Sequence, residues 1–239
     1  AVHLPLNHWL AQVGALPQPG QEGLPVWRSA LILGLTAGVC EELARAAGYA
    51  LLRRFRGTGD GLMLGLGHGG IEMMVFGGVL TAATVSSLLP LVGAEPATLG
   101  LPPAQTDALA RQLALLADPA AAGFALVERG IALLAHLTFS LMVLQAFRRR
   151  NAGYVALAVG YHAAVDFLAA SYTLGGLPLT EPWQLEGLFA LVMLPGWAWA
   201  ARQWREAARG QPAPGGRVPL RKEWALFGVA LRKELLHQA

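Results

Sequence analysis

Long apolar runs that keep ionisable residues near their middles limit what this chain can fold into more than any other feature. Runs able to cross a hydrocarbon core of ~30 Å lie near 27–52, 60–91, 124–147, 152–172 and 184–203. An ionisable side chain at such depth costs on the order of several kcal/mol unless it is paired, metal-bound or catalytic. Yet Glu41 and Glu42 occupy the first run, His68 and Glu72 the second, His136 the third, and His162 and Asp166 the fourth. One shared polar site inside a helical bundle accounts for all of them.

Composition agrees with that reading. Hydrophobic residues make up 54% of the chain and charged residues 14%, a balance that ordinary soluble domains do not have. The expected fold is all-α, a polytopic integral membrane bundle of about five transmembrane helices with amphipathic helices on its surface. Residues 1–25 read as an extracytoplasmic segment, 26–205 as the transmembrane domain that carries the site, and 206–239 as a basic amphipathic tail. Residues 104–118 have helical apolar spacing but are too short and too charged to span, so they fit a helix lying on the membrane surface. Because the count starts outside the cell, at least one further span is expected before Ala1 if the chain is a fragment.

Charge sets the orientation. Arg53, Arg54 and Arg56 follow the first run, Arg148, Arg149 and Arg150 the third, and Arg202, Arg205 and Arg209 the fifth. Alternating spans put these ends on one side, which the positive-inside rule makes cytoplasmic, with the C-terminus. In the tail, Arg217, Arg221, Lys222, Arg232 and Lys233 surround Trp224, Leu226, Phe227 and Leu231, a pattern drawn to anionic inner-leaflet lipid. The basic balance of +3 therefore needs no nucleic acid to explain it. The single cysteine, Cys40, rules out an internal disulfide and a cysteine-built zinc cage.

Helical rise turns spacing into depth. At ~1.5 Å per residue from the cytoplasmic ends, Glu41, Glu42, His68, Glu72, His136 and His162 fall about 12–18 Å deep, in one layer. His68 and Glu72 are four apart, as are His162 and Asp166, so each pair shares a helix face. Imidazole and carboxylate suit a divalent ion such as zinc, and a carboxylate off the metal can take a proton from an attacking water. Other patterns lead nowhere. Gly65, Gly67 and Gly70 spell a dinucleotide-type glycine motif, but inside an apolar run with no preceding strand they serve close helix packing instead. Asp60 in Gly57-Thr58-Gly59-Asp60 reads as a helix cap, and Glu128-Arg129 as a structural ion pair nearer the outer end.

At Glu41-Glu42-Leu43-Ala44-Arg45, Gly67-His68-Gly69-Gly70-Ile71-Glu72, Glu128-Arg129 with His136, and His162 with Asp166, the chain resembles the YhfC family of bacterial membrane proteins. That family is regarded as glutamic-type or metal-dependent intramembrane proteases, distantly related to the CAAX-protease and bacteriocin-processing superfamily. The resemblance covers about 30–167. It implies that Glu41 or Glu42 activates water, that Arg45 holds the acidic pair, and that His68 and His162 bind the metal or stabilise the oxyanion. Glu72, His136 and Asp166 complete the metal-ligand set. Arg45 stands one residue closer to the glutamates than is usual in the superfamily, and Leu64 replaces a common Phe, so prenyl-CAAX substrate preference does not carry over. The implied protein is a multi-pass enzyme of the bacterial inner membrane that cleaves a membrane-embedded or membrane-proximal peptide, with zinc or without any metal. The alternatives are a transporter or metal-binding protein that uses the same cluster for protons or a divalent ion, and a binding scaffold.

Overall fold

The computed structural model describes residues 3–16, 25–179 and 181–210, and every regular element among them is helical. Residues 1–202 form one compact unit and 203–239 a second, of which 203–210 are helical. The basic tail from 211 onward lies outside the described residues. The helices are α1 His3–Gln12, α2 Val26–Leu51, α3 Thr58–Glu72, α4 Thr81–Leu88, α5 Pro103–Ala117, α6 Pro119–Arg149, α7 Gly153–Thr173 and α8 Pro182–Gly210.

Local chemistry explains three of the helix starts. The carboxylate of Asp60 accepts from the Gly57 amide at 2.7 Å, so it closes the first turn of α3 from inside the helix, which begins two residues earlier than the sequence pattern indicates. Asp118 caps α6 by accepting from the Ala120 amide at 2.9 Å, with Pro119 at the first helical position. Asn151 does the same for α7 through the Gly153 amide at 2.8 Å. α5 occupies the stretch read as a surface helix. The second apolar run is not one uniform helix: directly after Glu72 the backbone widens into a π-helical segment, Met73–Leu80, before α4 resumes.

Among the described residues, three helices are long and apolar enough to cross a membrane: the composite Thr58–Leu91, α6 and α7. The expected count of five is therefore not recovered on those criteria. α2 is 26 residues long, but every 18-residue window in it holds at least three of Arg28, Glu41, Glu42 and Arg45. The residues of the site themselves lower its apolarity. α8, at 29 residues, carries Glu186 near one end and Arg202, Arg205, Glu206 and Arg209 at the other.

The bundle is arranged for lipid rather than for water. On α2, Leu31, Leu35, Val39 and Leu43 are exposed at four-residue intervals, whereas Gly34, Gly38, Glu42, Arg45 and Tyr49, on the adjoining flank, are buried. α6 is the central helix: apart from Leu137, residues 135–146 are buried all round, and the helix packs against α2, α3 and α7.

Two glycine seams bring the backbones together. A Cβ on Gly34 would lie 2.5 Å from the Ala163 carbonyl oxygen, and one on Gly38 would lie 2.7 Å from that of Val159, so α2 and α7 cross in direct backbone contact. Gly65 does the same for α3 on α6, where a Cβ would come within 2.9 Å of the Leu137 Cα, while Gly61 and Gly69 make room for α6 side chains, Leu141 and Leu144 at one and Leu133 and His136 at the other. Of the three glycines expected to serve close packing, Gly65 does so, while Gly67 and Gly70 face open space. Hydroxyl staples fix the register. Ser140 Oγ donates to the Gly61 carbonyl at 2.8 Å and meets the Tyr49 hydroxyl at 2.9 Å, joining α2, α3 and α6. The Tyr161 hydroxyl donates to the Val192 carbonyl at 2.5 Å, near the Pro195 break in α8.

Candidate active site

The glycine seams decide which polar side chains meet. Glu42 lies one turn beyond Gly38 on α2, and His162 precedes Ala163, the α7 residue against which Gly34 and Gly38 pack. The crossing therefore presses His162 onto Glu42: His162 Nδ1 lies 2.8 Å from Glu42 Oε1. On the other seam, Gly69 packs against the His136 side chain, and the neighbouring His68 ring stacks on that of His136 with centroids 5.1 Å apart.

Glu42 is fully matched. Arg45 donates to it from Nε at 2.9 Å and from Nη2 at 3.1 Å, and His162 supplies the third contact. Because a carboxylate only accepts, a proton sits on His162 Nδ1, and Nε2 faces Glu41 and Asp166, at 3.8 Å and 3.7 Å. Arg45 also donates from Nη1 to the His136 carbonyl, and its Nη2 meets His136 Nδ1, both at 3.1 Å. A guanidinium offers only donors, so His136 Nδ1 accepts and Nε2 carries the proton, 2.5 Å from Glu72 Oε2. Phe139 closes the floor, its ring stacked on His162 at 4.9 Å.

Glu41, 3% exposed, has a different environment. Its Oε2 lies 3.3 Å from His68 Nε2, and its Oε1 lies 3.2 Å from Nδ1 of His3 on α1. His3 was not among the residues picked out from sequence. The available signal was the pair His3 and Asn7, four apart like His68/Glu72 and His162/Asp166.

A cavity of about 200 Å³ opens onto the group between α3, α6, α7 and α8. Glu72, His136, His162 and Asp166 line it, with Phe189 and Met193 opposite. Glu128 and Arg129, in mutual ionic contact, stand at its edge and also line a second cavity of about 710 Å³ beside the π-helical segment. Every residue expected at the site thus converges on one place, and the Glu128–Arg129 pair lies at its rim.

The family model of the YhfC intramembrane metalloproteases matches residues 17–188. The chain belongs to this family. No curated protein and no solved structure matches it. The YhfC match takes in α2 through α7 and the start of α8, and leaves α1 outside. With its three apolar helices of spanning length, the chain is a membrane protein. The family implies a metal, and the donor set fits one: single ligand atoms from Glu41, His68, Glu72 and His136 lie within 4.8 Å of one another, and imidazole with carboxylate oxygen is a common first shell for divalent ions.

Proposed function

We propose that this YhfC protein hydrolyses a peptide bond in or beside the bilayer, with Glu41 as the general base. The observation that carries the reading is the unequal treatment of the two adjacent glutamates. Glu42 spends its oxygens on Arg45 and His162, whereas Glu41 meets its histidines at 3.2 Å or more, contacts long enough for its carboxylate to turn toward a water and take its proton. The water oxygen adds to the scissile carbonyl carbon, the proton passes to Glu41, and the same proton goes to the leaving amine as the C–N bond breaks.

His68, Glu72 and His136, which with Glu41 bring their ligand atoms within 4.8 Å of one another, would hold a divalent ion, zinc by donor type, His136 giving up its Nε2 proton on binding, with His162 and Asp166 nearby. When bound, the ion supplies Lewis acidity to the carbonyl and to the water. Glu42 orients His162 through Nδ1, and Arg45 fixes both Glu42 and His136. The cavity lined by Glu72 and Asp166 gives unwound substrate backbone a polar surface away from lipid. The arginine-rich ends support a multi-pass protein of the bacterial inner membrane with its C-terminus in the cytoplasm, and the basic tail supports contact with anionic lipid.

The test uses the full chain in liposomes with a pool of synthetic single-span peptides, cleavage being read by mass spectrometry. Glu41→Gln keeps shape and removes the proton acceptor, so turnover should fall by about 10²- to 10⁴-fold while the protein remains folded. Undiminished cleavage by Glu41→Gln would overturn this assignment.

A further inference from the structure

α1 lies outside the segment matched by the family, yet it reaches the reacting layer. Thr36 Oγ1 on α2 donates to Asn7 Oδ1 on α1 at 2.7 Å. One turn nearer the start of α1, His3 meets Glu41, which lies five residues beyond Thr36. The two contacts run in opposite senses along the chain, so α1 and α2 are antiparallel and the Asn7–Thr36 bond sets the register that delivers His3. The two oxygens of Glu41 are then divided: Oε1 faces His3, and Oε2 faces His68 and His162.

We propose that His3 is a positioning residue for Glu41, holding Oε1 so that Oε2 is the oxygen that takes the proton from water; the role rests on Glu41 being the base. A carboxylate rotating freely about its last bond would present either oxygen, and a displacement of about 1 Å at a reacting atom can lower a rate by ~10²-fold. His3 Nδ1 is buried without a hydrogen-bond partner and lies 3.2 Å from Oε1. Contacts of this kind are often long and poorly aligned before substrate arrives and tighten in the reacting complex. Asn7 acts one step further back, as the latch that keeps α1 in place.

The experiment compares the full chain with His3→Ala, His3→Gln, Asn7→Ala and a control, His8→Ala, whose ring partners Gln12 on the exposed side of α1. Three quantities are read: kcat and KM on a cleaved single-span peptide, bound metal per chain, and the carboxylate infrared band assigned to Glu41 by difference from Glu41→Gln. His3→Ala should lower kcat by on the order of 10- to 100-fold with KM and bound metal unchanged, and should shift the Glu41 band. His3→Gln, which restores a donor, should recover most of both, and Asn7→Ala should fall between. Unchanged kcat, or loss of bound metal in His3→Ala, would overturn the positioning role. An unmoved infrared band would overturn it as well, with or without a cleaved peptide, whereas a wild-type chain that cleaves nothing but shows the band shift would remove the protease reading and leave the His3–Glu41 contact standing.

Discussion

The network of Glu42, Arg45, His136 and His162 differs from the group around Glu41 in the length of its polar contacts. In the first, contacts run from 2.8 to 3.1 Å and Arg45 and Glu42 are buried to 2% and 0% exposure. In the second, Glu41 meets its neighbours at 3.2 to 3.8 Å. Adjacent residues on one helix thus have different surroundings: the short contacts of Glu42 fix its geometry, and the longer contacts of Glu41 fit the base proposed for it.

Removing Arg45 should break this contrast most severely. Arg45→Ala leaves Glu42 buried without its guanidinium and should destabilise the protein by about 3–5 kcal/mol, read as a shift in the denaturation midpoint in detergent; a change below about 1 kcal/mol would place the two groups on the same footing. The seam beneath the network comes next. A Cβ at Gly38 meets the Val159 carbonyl oxygen and the Ala163 amide nitrogen, at 2.7 and 2.9 Å, and backbone atoms cannot turn aside. Gly38→Ala should therefore cost about 1–3 kcal/mol and loosen His162 from Glu42, whereas Gly67→Ala, with nothing within 4 Å, should not weaken the fold. Among the buried polar residues the smallest effect on stability should come from Glu41→Gln, with a change of about 1 kcal/mol or less despite its expected loss of turnover. A destabilisation equal to that of Arg45→Ala would show Glu41 to be as structural as Glu42.

Much of this was legible in the sequence, because helical rise is constant and depth follows from counting. His68, Glu72, His136 and His162 could be placed in one layer without coordinates, and Asp166 on the His162 face by its spacing. The division between Glu41 and Glu42 depends on the rotation of α2, which is set by Gly34 and Gly38 seated on α7. Those glycines share a face with Glu42, Arg45 and Tyr49, a small-then-polar stripe that could have been read from the sequence. The π-helical segment after Glu72 had no comparable signal, since an apolar run looks the same in either winding. His3 was missed because its proline-bearing surroundings gave no spanning pattern, and its role depends on a contact between residues 38 positions apart. The span count fell short for the opposite reason: the charges that identify the site are those that make α2 resemble a soluble helix.

The position of Arg45 also has a consequence for biogenesis. Glu42 and His162 are separated by 120 residues, so during synthesis α2 leaves the ribosome well before α7 exists. A helix that entered the bilayer with two bare carboxylates would meet a steep insertion penalty. Arg45, three residues after Glu42 on the same helix, is present from the first moment and neutralises one of those charges within α2 itself. The counter-ion that later anchors the finished network thus also makes its first helix fit to wait in the membrane for the rest.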